Sequence, residues 1–147
     1  MKTMQPLILI LIFQTCCVAF SETPQSPKMI GTWKVEITFP NGDNRSLRFE
    51  AQAAGKGSFL LLDPRSDLWD SAKPSEASWT QGEGNSVTFS GAIEFPIGNV
   101  GRDAGKLVFK GKFEGQSLIV GEVDFSPLVG DRPSKGGTFK AVPYAQK

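Results

Sequence analysis

Three apolar-alternating runs follow one another in the second half of the chain: Val87-Thr88-Phe89-Ser90-Gly91-Ala92-Ile93-Glu94-Phe95, Leu107-Val108-Phe109-Lys110-Gly111-Lys112-Phe113 and Ile119-Val120-Gly121-Glu122-Val123-Asp124-Phe125. Alternation with a period of two is the pattern of half-buried antiparallel strands. Pairing Gly91 with Gly111 sets Phe95 opposite Leu107. Pairing Gly111 with Gly121 sets Phe113 opposite Ile119 and Leu107 opposite Phe125. This register predicts a glycine at the middle of each inward row, side by side, where a strongly coiled sheet bends.

Working outward from these runs, strands are predicted over Gly31 to Phe39, Ser46 to Ala53, Gly57 to Leu62, Ser75 to Gln81, Ser86 to Phe95, Lys106 to Phe113, Leu118 to Ser126 and Gly137 to Val142. No helical period lies between them. The connectors are clusters such as Pro40-Asn41-Gly42-Asp43 and Gly82-Glu83-Gly84-Asn85, which carry turn chemistry at the spacing of an all-β domain. The fold class is therefore all-β: an eight-stranded antiparallel up-and-down meander closed into a small barrel, since closure removes the sheet edges that invite aggregation. An open two-sheet sandwich is the alternative that the same strands allow.

The connectors are unequal. Those after the second, fourth and sixth strands are short and lie at one end of such a barrel. Those over Pro40 to Arg45, Asp63 to Pro74, Pro96 to Gly105 and Pro127 to Gly136 are mostly longer and lie at the other. The long-loop end is the expected functional face.

Residues 1–21 hold one basic residue, Lys2, then Leu7-Ile8-Leu9-Ile10-Leu11-Ile12-Phe13, then small residues at Ala19 and Ser21. This reads as a secretory signal peptide, with a secreted or periplasmic destination. The apolar run is shorter than the about 20 residues that span a bilayer, so no membrane span is expected. Lipidation at Cys16 or Cys17 is the alternative, although Phe13-Gln14-Thr15 lacks the small residues expected before a lipidated cysteine. Residues 22–30, rich in Ser, Pro and Gln, read as a flexible tether, and residues 31–147 as the barrel domain. Both cysteines fall in the leader, so the domain is expected to rest on its core without disulfides.

The chain carries 16 basic and 15 acidic residues, and loss of Lys2 balances them. No global field favours nucleic acid or an anionic membrane. There is no His anywhere, and the Cys lie only in the leader, which excludes a Ser-His-Asp triad, a cysteine nucleophile and the usual zinc sets. No cofactor or metal is expected. Glu94, Glu122 and Asp124 fall out of phase with the inward rows and should face solvent, so paired catalytic carboxylates are not evident. Asn44-Arg45-Ser46 fits the N-glycosylation pattern in an exposed turn, which bears only on a eukaryotic source.

Gly31-Thr32-Trp33, opening the first strand, resembles the Gly-x-Trp signature of the calycins, the lipocalin-like and avidin-like barrels. In that family the Trp packs across the closed base and the open mouth holds a small ligand, so the resemblance implies Trp33 at a base and a ligand at the far end. The chain departs from lipocalins in having no second Asp-Tyr motif and no Arg after the last strand, where Tyr144 and Lys147 stand.

Whether the barrel is hollow stays open at this level. Phe39, Phe49, Phe59, Phe89, Phe95, Phe109, Phe113, Phe125 and Phe139 all lie on strands, mostly in inward phase, which points to a filled interior. Gly91, Gly111 and Gly121 remove side chains from inward positions, which would leave a pocket or only allow a bend. Four arginines sit beside Asp residues in the long connectors: Asp43-Asn44-Arg45, Arg65-Ser66-Asp67, Arg102-Asp103 and Asp131-Arg132. They would either order each loop by local pairing or gather on one rim and grip a carboxylate or phosphate. Leu68 and Trp69 in the longest connector would close the mouth as a lid or anchor a partner.

Three function classes stay open, and an exported binding module comes first. It would take a small, partly apolar or anionic ligand at the long-loop end through Arg65, Trp69, Gly91, Arg102, Gly111, Gly121 and Arg132. A loop-mediated protein-interaction or inhibitor module is the alternative, and an enzyme using carboxylates or Tyr144 is a third.

Overall fold

Alternation along each run becomes two faces of a sheet, and a sheet with one wholly apolar face buries it best by curling onto itself. A computed structural model describes residues 27–62, 73–97 and 101–145. The expected leader with Cys16 and Cys17, most of the expected tether, and Arg65, Leu68 and Trp69 therefore lie outside the described residues. The strands are β1 (Gly31–Thr38), β2 (Asn44–Ala51), β3 (Lys56–Leu61), β4 (Ser75–Gln81), β5 (Ser86–Ile97), β6 (Gly101–Phe113), β7 (Ile119–Pro127) and β8 (Lys135–Pro143). Each pairs antiparallel with the next, and β8 returns to β1 through Val35 opposite Ala141 and Ile37 opposite Phe139. The order β1 to β8 is a closed barrel, so the sandwich is set aside.

The expected register holds on one side of β6 and fails on the other. Gly111 pairs with Gly121, Leu107 with Phe125 and Phe113 with Ile119, as the alternation implies. Between β5 and β6, however, Gly91 pairs with Leu107, Gly111 with Val87 and Phe95 with Asp103. The cause is that the stretch expected to be a loop from Pro96 to Gly105 is mostly strand: the β5–β6 ladder runs out to Ile97 opposite Gly101. Moving the turn slides the pairing by an even number of residues, so every inward side chain stays inward while the glycines of β5 and β6 part company.

The interior is packed with rings. Phe49, Phe89 and Phe109 form a parallel stack with centroid spacings of 4.6 and 4.4 Å. Phe59 and Phe139 stand edge-on to it. The inward glycines make the room. A Cβ built on Gly57 would lie 2.8 Å from the Phe49 ring, one on Gly91 2.8 Å from Phe59, one on Gly111 2.7 Å from Phe139 and one on Gly137 3.0 Å from Phe39. Gly105 lies under the Phe125 ring in the same way. At these five positions glycine and phenylalanine are complementary halves of one packing scheme, the missing side chain being the seat of a ring. The question left open by composition is answered in favour of a filled barrel.

The base of the barrel, where the short connectors lie, is closed by the chain entering it. Met29 is buried, and its carbonyl accepts a 2.8 Å hydrogen bond from Trp33 Nε1. Trp33 meets Phe113 edge to face at 5.7 Å, and Gln81 Nε2 donates to the Pro27 carbonyl at 2.7 Å. The last part of the expected tether, Pro27 to Ile30, is therefore built into the fold. Outward positions hold Glu36, Lys106, Lys110, Glu122, Asp124 and Lys140, all exposed. An apolar lumen inside a charged wall is the reverse of what a barrel in lipid needs. Among the described residues no helix is long and apolar enough to cross a membrane.

Candidate functional site at the barrel mouth

At the other end, among the described residues, three rings form a floor. Phe39 at the exit of β1, Phe95 on β5 and Phe125 on β7 are buried below a hollow of about 170 Å³, which is also lined by Asp43, Arg45, Ile97, Asp103, Arg132 and Lys135. One wall is the turn after β1. There the Phe39 amide donates to the Asp43 carbonyl at 2.9 Å, Gly42 takes a positive φ of 87°, and Asn41 Nδ2 donates to Asp43 Oδ2 at 2.8 Å. Asn-Gly chemistry thus sets the Asp43 carboxylate in place.

Asp103 is the buried charge of the described residues, with 6% of its surface exposed. It faces inward because it continues the row Phe109, Leu107, Gly105 towards the mouth. A carboxylate there is costly unless it is paired and hydrogen-bonded. Arg132, reaching across from the loop between β7 and β8, donates Nη2 to Oδ1 at 2.6 Å and Nη1 to Oδ2 at 3.3 Å. This two-pronged pair ties a loop to the barrel wall, while half of the Arg132 side chain remains exposed. Arg45 lies across the mouth with its guanidinium 5.2 Å from the Phe95 ring centre and Nη2 on the Pro96 carbonyl at 3.3 Å. Lys135, opposite Phe125 in the ladder, is exposed on the rim.

Replacing Arg132 by Gln is expected to destabilise the fold by about 1 to 3 kcal/mol, because the buried Asp103 carboxylate loses its charge-assisted bonds. Arg102→Gln, which breaks the exposed 3.2 Å pair with Glu94, should cost at most about 1 kcal/mol. Urea unfolding of the two variants checks the contrast, and equal losses would mean that Asp103 does not depend on Arg132.

Of the residues expected at the site, Arg132 is at the mouth. Arg102 is not: it sits on β6 rather than in a loop and faces outward to Glu94. It borders an outer hollow of about 370 Å³ with Leu61, Pro74 and Leu128. Gly91, Gly111 and Gly121 lie away from the mouth, against rings and backbone on the inside. From the outside their backbones border surface hollows of about 370 and 460 Å³, beside Lys106 on one and Lys110 and Lys112 on the other. Two of the four arginines form ion pairs with residues other than the Asp beside them in sequence. Arg132 takes Asp103 rather than Asp131, and Arg102 takes Glu94 rather than Asp103. Asp103, Lys135 and the three floor rings were missed as site residues. The signal for Asp103 was present, since extending the alternation of Leu107 and Gly105 backwards puts it inward, but the glycines hid the strand.

The molecule is thus a small closed antiparallel β-barrel with a ring-filled interior, shallow hollows on its outer wall and a charged hollow floored by phenyl rings at its mouth. No protein-family model matches the sequence, and comparison with curated proteins and with solved structures finds no match.

Proposed function

We propose that the chain is an exported binding module that takes a small, partly apolar ligand at the barrel mouth and not inside the barrel. The observation that carries this reading is the coincidence, in one concave site, of three buried phenyl rings with Arg45, Arg132 and Lys135. Sites for small molecules combine an apolar lining with a few convergent polar groups in this way. The Gly31-Thr32-Trp33 start, with Trp33 packed at the base, supports a kinship with the calycin-type barrels, and the ring-filled lumen distinguishes it from their hollow members. The leader-like residues 1–21 support export.

The test is to titrate isotope-labelled protein with a panel of small aromatic and branched aliphatic compounds and follow amide shifts. Perturbations should centre on Phe39, Phe95, Phe125 and Asp103. Shifts confined to the outer face of β5 and β6, or none at all, would overturn the proposal.

A second reading, docking of a protein through the loops, is favoured by a separate observation. Ile97, Leu128 and Val129 are large apolar residues left 49, 66 and 72% exposed at this same end. A Leu128→Ser, Val129→Ser double variant that lost a partner but kept small-ligand binding would favour it.

A further inference from the structure

We infer that the ligand of the mouth is a monocarboxylate bearing one compact apolar group, and that Asp103 is the specificity-determining residue that keeps dianions out. The inference rests on the reading of the mouth as the binding site and names the chemistry that site selects.

The charge arrangement comes first. Three cationic side chains, Arg45, Arg132 and Lys135, share the hollow with two carboxylates, Asp43 and Asp103. Among the described residues of the hollow the cations outnumber the carboxylates by one. Asp103 engages one edge of the Arg132 guanidinium through Nη1 and Nη2. A guanidinium presents five N–H donors, so this exposed side chain can hold Asp103 and still offer a donor to a ligand. A singly charged anion neutralises the mouth. A phosphate monoester carries about 1.5 to 2 negative charges at pH 7 and would bring its second charge against Asp103 and Asp43.

The apolar half follows from the floor. Phe39, Phe95 and Phe125 are hydrophobic and buried, and the hollow of about 170 Å³ is close to the roughly 150 Å³ cavity that accepts benzene in another protein. That matches one phenyl or branched butyl group seated on the floor, with the ring stack below leaving no depth for a longer chain. The same chemistry is found in a free organic acid and in the last residue of a polypeptide with an apolar side chain.

The experiment measures dissociation constants on the whole protein for phenylacetate, phenylacetamide and phenyl phosphate, and for a short peptide ending in Phe with either a free or an amidated terminus. Phenylacetate is expected to bind at least tenfold more tightly than phenylacetamide and at least tenfold more tightly than phenyl phosphate. Asp103→Asn should raise phenyl phosphate affinity at least tenfold and so narrow or reverse the preference. Lys135→Gln changes only an exposed side chain, so it tests the charge argument without risk to the fold, and should weaken phenylacetate about three- to tenfold. Tighter binding of the free-terminus peptide than of phenylacetate identifies a polypeptide end as the source, and the reverse identifies a free acid. Equal binding of acid and amide overturns the carboxylate inference while leaving the mouth as a site. Phenyl phosphate binding as tightly as phenylacetate to the unaltered protein overturns the role of Asp103. Failure of every probe to perturb the mouth overturns both this inference and the reading beneath it.

Discussion

Gly111→Leu is expected to destabilise the protein by about 3 kcal/mol or more, lowering Tm by roughly 10 °C. The position has no room. A Cβ on Gly111 would lie 2.6 Å from the Val120 carbonyl oxygen, 2.7 Å from the Phe139 ring and 3.2 Å from an Ile119 methyl. The carbonyl belongs to the β6–β7 ladder and is fixed by it, and Phe139 is held edge-on to Phe89 and Phe109 at 5.5 and 5.0 Å. Neither neighbour can withdraw without breaking other contacts, so the added isobutyl group must push β6 and β7 apart. The partner glycine shows the same constraint, because a Cβ on Gly121 would strike the Lys110 carbonyl. Thermal and urea unfolding measure the effect. A neutral or stabilised variant would mean that the interior holds empty volume and would move the ligand from the mouth into the lumen.

How much of this was legible in the sequence depends on which force wrote each feature. Burial on one face of a strand repeats every second residue, so the strands could be read from residues such as Val87, Phe89, Ile93 and Phe95, and the bounds Ser75 to Gln81 coincide with the observed β4. Where the inward row continues with small or charged residues the signal stops. Asp103 and Gly105 are inward on β6, yet neither is apolar enough to mark a strand, so alternation alone ends the β5–β6 hairpin too early and sets its register four residues away from the observed one. The phase survived because the slip was even. The arginine pairings were illegible for another reason. Adjacent Asp and Arg residues on a strand point to opposite faces, so Arg102 and Asp103 cannot share a partner, and the charge that meets Asp103 comes from Arg132, far along the chain. The mouth is assembled by closure of the barrel, and only its long-loop location could be anticipated from connector lengths.

The other large effect is expected from Phe89→Ala, at about 3 to 5 kcal/mol. Phe89 is the middle ring of the stack, 4.6 Å from Phe49 at 7° and 4.4 Å from Phe109 at 11°, with Phe59 and Phe139 against its edges. Removing it deletes both stacked contacts at once and leaves a ring-sized void. The neighbours cannot collapse into that void because their backbones are locked in ladders on β2, β3, β6 and β8. A domain of this size has a total stability of about 5 to 15 kcal/mol, so the variant should still fold, at the edge of its margin. The void gives a second, independent readout. Benzene should bind it and restore Tm in proportion to the logarithm of its concentration, while leaving the unaltered protein's Tm unchanged at concentrations too low to occupy the mouth. Since the void and the mouth are separate, phenylacetate should still perturb Phe95 and Phe125 in the benzene-stabilised variant. A loss below about 1 kcal/mol, or no rescue by benzene, would show that the ring stack does not hold the barrel together.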